Sequence, residues 1–96
     1  MKSIYKYPLT LDGIQVLEIP LSPMNEVLSN LIAAGIDPSG SLVVWCRIDT
    51  DAPTRRVAIQ VCGTGLVIPD GKLGDWLASV QDGQFVWHVF ARCLRH

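Results

Sequence analysis

The sequence has no stretch approaching the ~20 consecutive apolar residues that a membrane-spanning helix requires. Its opening residues, Met1 to Tyr7, are polar, and no apolar core of a secretory signal follows them. Together these point to a chain that works inside the cell. Strong charge of either sign is missing too: 8 basic residues stand against 9 acidic ones, for a net charge of −1. Without a basic stripe to neutralise a run of phosphates, a nucleic-acid binder is disfavoured. Arg92, Arg95 and His96 read as a solvated tail. A near-neutral chain is equally poor material for an acidic mimic of DNA. Cysteine is sparse and odd in number, and Cys46, Cys62 and Cys93 are widely spaced. Such a set makes a poor disulfide framework and reads as reduced thiols in a cytoplasm. Internal repeats, low-complexity runs and linkers are all absent.

What is present is apolar. Of 96 residues 49% are hydrophobic and only 18% are charged. The length fits a single domain over residues 1–96, with roughly two-thirds of the unfolded surface buried in one modest core. Small bodies have a high ratio of surface to volume and need polar cover. An apolar excess here implies strands buried on both faces or a patch reserved for a partner, and a homo-oligomer is one expected outcome.

Turn residues are dense along the chain, which suits short strands. Residues 1–8 are a polar-aromatic lead-in that places Tyr5 and Tyr7 on one side if extended. Asp12-Gly13 is a turn signal before a strand at 14–19, and Pro20 and Pro23 bracket its end. Residues 24–34 read as the one helix: Met24, Val27, Leu28, Leu31 and Ile32 form a single apolar stripe at helical spacing. Ser22 suits its N-cap, Pro23 its first position and Gly35 its stop.

The stretch 41–48 is almost continuously apolar and reads as a central strand covered on both faces. Residues 56–62 alternate, and the polar loop between the two suggests an antiparallel hairpin. A short strand at 66–68 and a segment over 73–80 follow. Asp82-Gly83 is a two-residue hairpin signal of the type I′ kind leading into a final strand, 84–92. There Phe85, Trp87 and Val89 share one face and Val86, His88 and Phe90 the other, so this strand is expected to be central. The fold class that results is α+β but mainly β: a small twisted antiparallel sheet or partly closed barrel with one short helix.

Certain motifs recur in a fixed order: Lys6-Tyr7-Pro8-Leu9, Trp45 ahead of Ile48-Asp49, Gly63-Thr64-Gly65, and the closing run Phe85-Val86-Trp87-His88-Val89-Phe90. As a set they resemble a family of small phage- and prophage-encoded proteins of uncharacterised function, over residues 6–90. The resemblance implies a phage origin and a mainly β fold, and no activity. The chain departs from that pattern at Ala91, where the family has Glu, and over 27–41, which is longer here.

Several residues bear on chemistry. Asp49-Thr50-Asp51 could contribute carboxylates to a Mg²⁺ or Ca²⁺ site, but it offers too few ligands and reads as an Asx turn ahead of Pro53. A zinc site drawn from Cys93, His96, His88 and a second cysteine matches no established spacing. His88 sits mid-strand with no nucleophile or carboxylate evident beside it, and reads as a hydrogen-bonded structural histidine. Gly63-Thr64-Gly65 has no helix start or Lys after it, which excludes a P-loop and leaves a bulge or tight bend. No metal, cofactor or catalytic set is expected.

Trp45, Trp76 and Trp87 are many for this length. An exposed Trp beside Arg47, Arg55 or Arg56 makes a hot spot for a protein partner. Trp45, Arg47, Arg55, Arg56 and Trp76 are accordingly the candidate partner-binding residues. The leading functional expectation is a non-enzymatic phage accessory protein that binds and blocks a host protein in the host cytoplasm. Inhibition of an antiphage defence such as a CRISPR effector complex is its most concrete form. One alternative is an oligomeric binder of a small nucleotide signal, using the three arginines, the Gly63–Gly65 loop and a Trp platform. Another is a structural component of the phage.

Overall fold

A computed structural model describes residues 1–11, 13–21, 28–65, 68 and 74–94. Seven strands run in chain order: β1 Lys2–Pro8, β2 Ile14–Pro20, β3 Leu31–Ile36, β4 Leu42–Asp49, β5 Thr54–Gly63, β6 Asp75–Asp82 and β7 Phe85–Cys93. They form two antiparallel sheets, one ordered β1-β4-β3 and the other β2-β5-β7-β6. The thinnest dimension is 16 Å, as expected for two layers about 10 Å apart.

Alternation explains the packing. On β4, Leu42, Val44, Cys46 and Ile48 point inward, and on β5 so do Val57, Ile59 and Val61. Ile19 of β2, Leu31 of β3, Val80 of β6 and Val89 and Ala91 of β7 join them in one core shared by both sheets. The inward residues of β4 are at most 3% exposed. Along one side β3 lies against β6, so the two sheets approach without a ladder joining them. β4 and β7 are central strands of their sheets, as their bulk suggested.

Several expectations are corrected. Residues 24–34 do not form the helix: 31–36 are strand β3, 28–30 are a single 3₁₀ turn, and 22–27 lie outside the described residues. β4 supplies a ladder partner that overrides the local helical spacing. A β-bulge between Leu31 and Ala33 accommodates the adjacent apolar pair, burying Leu31 to 4% while leaving Ile32 47% exposed. Gly35 belongs to this strand rather than ending a helix.

The hairpin between 41–48 and 56–62 is not formed either. β4 pairs with β1 and β3, whereas β5 pairs with β2 and β7. The loop between them carries the chain from one sheet to the other. The outer face of β4 is not fully covered, since Arg47 is exposed there.

The β6–β7 hairpin does form, but its loop is Gly83-Gln84, with Asp82 paired to Phe85. Gly83 has φ +59° and, among the described residues, no non-glycine residue has positive φ, which fits a type II′ turn rather than I′. Of the strand expected at 66–68, positions 66 and 67 lie outside the described residues, and Ile68 is not in a strand. Among the described residues no helix is long and apolar enough to cross a membrane.

Candidate functional site

The outer face of the four-stranded sheet carries the densest constellation of functional groups. Register places Ile14, Gln60, Phe90 and Trp76 in one row across β2, β5, β7 and β6. The next row holds Cys62, His88 and Ser79. Gln60 and Cys62, on a central strand and flanked by larger neighbours, are buried at 4% and 9% exposure. Trp76, on the edge strand, is 63% exposed, and Ile14 and Val16 on the opposite edge are exposed as well.

A hydrogen-bond relay crosses this face. The Trp76 indole Nε1–H donates to Ser79 Oγ at 3.1 Å, and Ser79 Oγ lies 2.8 Å from His88 Nδ1. On the other side of the ring, His88 Nε2 lies 2.7 Å from Thr64 Oγ1. Thr64 Oγ1 in turn reaches the carbonyl of Val86 at 3.4 Å. One order of donors satisfies every atom. Ser79 O–H gives to Nδ1, Nε2–H gives to Thr64, and Thr64 O–H gives to the Val86 carbonyl. His88 is thus a hydrogen-bonded histidine, as its mid-strand position suggested, but its two partners come from two separate segments, the turn after β5 and strand β6.

Beside Thr64, at the end of the sheet, lies a cavity of about 300 Å³ lined by Gly63, Thr64, Gln84, Phe85, Val86 and Trp87. The Phe85 and Trp87 rings stack with centroids 5.9 Å apart and planes 23° from parallel. Trp87 Nε1 is buried and has no hydrogen-bond partner among the described residues.

A family model described as a domain of unknown function, DUF7352, matches residues 1–95. The chain belongs to the DUF7352 family. No curated protein and no solved structure matches it. Within this DUF7352 domain, the residues expected to bind a partner do not form a single patch. Trp45 and Arg47 lie on the outer face of the three-stranded sheet, where Trp45 covers Gly35. Trp76 and Arg56 lie on the outer face of the other sheet. Arg55 shares the inward parity of Ile19, at the sheet's margin, with Nη2 3.8 Å from Cys93 Sγ. The three arginines therefore point to three different surfaces and do not assemble a common phosphate clamp.

Asp49 and Asp51 are engaged locally. Asp51 N–H donates to Asp49 Oδ1 at 3.1 Å, an Asx turn, and the Met1 amino group contacts both carboxylates. These contacts hold the Asp49 carboxyl below its ordinary range. Among the described residues no three His, Cys, Asp or Glu side chains converge. Of the suggested zinc ligands, His88 and Cys93 have opposite parity on β7, and His96 lies outside the described residues. Gly63-Thr64-Gly65 closes β5 in a turn, with Gly65 at φ +84°. Sequence reasoning missed the Ser79–His88–Thr64 grouping. Its members lie 9 and 24 residues from His88, with no shared motif to announce them.

Proposed function

We propose that the chain is a non-enzymatic accessory protein of phage origin. In this reading it binds a host protein in the host cytoplasm and blocks it, with an antiphage defence assembly such as a CRISPR effector as the leading class of target. The observation that carries the reading is Trp76, 63% exposed yet fixed by a hydrogen bond to Ser79. A ring this exposed adds little to the core, so a relay through His88 to Thr64 that holds it still serves binding better than folding. Fixing an aromatic anchor in advance lowers the entropy lost when a partner closes over it. Phe90 stands opposite Trp76 in the ladder, and Ile14 and Val16 extend the apolar surface across the sheet.

The non-enzymatic part is supported by His88 itself. Both ring nitrogens face hydroxyls, none of its partners is a carboxylate, and the face around it is a sheet surface rather than a cleft. The phage origin is supported by the motif resemblance. The test is co-purification from bacterial host lysates with tagged wild-type chain, Trp76→Ala and Trp45→Ala. A stoichiometric host protein retained by the wild type and Trp45→Ala but lost by Trp76→Ala is the expected result. Recovery of no stoichiometric partner, or loss with Trp45→Ala alone, rejects the reading.

A further inference from the structure

We infer that the free edge of β2 is a self-association site, where a second copy of this chain adds its own β2 antiparallel about a two-fold axis. The pairing joins two four-stranded sheets into one. An unpaired edge strand presents a row of open backbone N–H and C=O groups that templates further pairing. Among the edges of the two sheets, β3 and β6 lie against each other, which leaves those of β1 and β2. Backbone bonds fix which residues of these strands face outward. The Val61 N–H donates to the Gly13 carbonyl, and the Leu94 N–H to the Arg56 carbonyl. Both bonds turn the odd-numbered residues of β2 toward β5, so Ile14, Val16 and Glu18 aim their N–H and C=O groups away from the sheet. On β1, bonds from the Leu9 N–H to the Leu42 carbonyl and from the Thr50 N–H to the Met1 carbonyl leave Lys2, Ile4, Lys6 and Pro8 facing outward.

The two edges differ in protection. On β1, Pro8 has no N–H to offer, and a two-fold pairing about Ile4 would set Lys2 opposite Lys6 of the second copy, like charge against like. β2 carries no lysine, and its outward residues Ile14 and Val16 are 53% and 43% exposed. A two-fold pairing about Val16 sets this β-branched residue against its own copy and Ile14 against Glu18 of the second copy. No like charges meet, and Glu18 keeps Arg56 as its neighbour in the ladder. On the inward side the half-buried Leu17 comes opposite Gln15 of the second copy and gains cover. An isologous contact of this kind closes at two copies. Trp76 lies at the far edge of the sheet, on β6, and stays exposed in the pair.

Sedimentation of the full chain tests this over roughly 1 μM to 1 mM, the range of weak to moderate association. The mass is expected to approach twice the chain's 10.5 kDa and to rise no further. Val16→Pro removes one outward N–H without touching the ladder to β5, and Val16→Lys sets two lysines face to face across the axis. Both should remain monomeric over the same range, while Trp76→Ala dimerises like the wild type. A cysteine at the axis supplies a readout that does not depend on weakening the strand. In a Cys93→Ser background, Val16→Cys should form a disulfide-linked dimer in oxidised glutathione, and Ile4→Cys should not. A wild type that stays monomeric at the highest concentration overturns the inference, as does undiminished dimerisation of both Val16→Pro and Val16→Lys. So do cross-linking through Ile4→Cys rather than Val16→Cys, and masses that climb past two copies, the mark of β1 adding to β2 head to tail. None of these results bears on Trp76, so the protein-binding reading stands or falls on its own test.

Discussion

Lys6 on β1 donates from Nζ to Oδ2 of Asp37 at 2.8 Å, reaching across β4 to the turn that leaves β3. The bond ties together the two edges of the three-stranded sheet. Val43, which points to the same outer face from the strand between them, is only 1% exposed. Asp37 also accepts from the backbone N–H groups of Ser39 and Ser41, at 3.0 Å each, and from the Ser39 hydroxyl at 2.6 Å. These contacts, Lys6 first, hold its carboxyl well below the usual range.

Acid should therefore weaken the fold through Asp37. Its carboxyl titrates lower in the folded chain than in the unfolded one. The stabilisation is fully present above the unfolded value of about 3.9, and fades as pH falls through that range toward the depressed folded value. Asp37→Asn keeps an acceptor for the turn but loses the charge facing Lys6. Urea midpoints of wild type and Asp37→Asn should differ clearly at neutral pH and converge in acid. A gap that stays constant down to about pH 3 contradicts this role.

Ser79→Ala separates the anchoring of Trp76 from its contact surface. The variant leaves the exposed indole N–H to water and removes one hydroxyl from His88, so stability should fall by no more than about 1 kcal/mol. Affinity for a protein partner should drop all the same, because the ring must now be ordered on binding. Thermal melts together with partner titration check both halves. Unchanged affinity with a mobile Trp76 ring would show that preorganisation is irrelevant.

Strand content and outward surface were legible in this sequence to different degrees. The strands at 14–19, 41–48, 56–62 and 84–92 follow from period-two alternation or continuous apolarity, and each is found within two residues of its expected ends. The face assignment of Phe85, Trp87 and Val89 against Val86, His88 and Phe90 follows from the same rule. Residues 31–36 were not legible, because Leu31 and Ile32 at a bulge imitate helical spacing. Sheet membership was hidden for a different reason. Whether two consecutive strands pair or pack is decided by what else pairs with each, and that is a long-range matter. The relay was hidden likewise, since Thr64, Ser79 and His88 meet only once β5, β6 and β7 are aligned.

The thiols should divide by burial. Cys46 is completely buried, which pushes its thiol up to about 12, and Cys62 is buried on the outer face of β5. Cys93 is exposed at the end of β7. A thiolate is the reactive form and must be reachable. An aromatic disulfide reagent should titrate one thiol rapidly in the native chain and all three in denaturant. Cys93→Ser should abolish the fast phase. A fast phase that survives this substitution would place the accessible thiol elsewhere.

Gly74 and Gly40 form a matched pair that isolates packing from backbone strain. Their φ angles are nearly equal, +86° and +88°, so an added Cβ meets the same left-handed penalty at each, about 1–2 kcal/mol. Their surroundings differ. A Cβ on Gly40 meets nothing within 4 Å, whereas one on Gly74 would lie 2.6 Å from the Ala91 carbonyl oxygen and 2.9 Å from Arg92 Cβ. The oxygen is backbone on a central strand and cannot swing aside. Gly40→Ala should therefore cost only the strain, while Gly74→Ala adds an overpacking penalty of about 1–3 kcal/mol. Gly74→Ala should also loosen the start of β6, where Asp75 pairs with Ala91, and so disturb Trp76 beside it. Urea unfolding of both variants measures the difference directly. Equal losses would mean that the chain before β6 does not press against β7 as closely as these distances require.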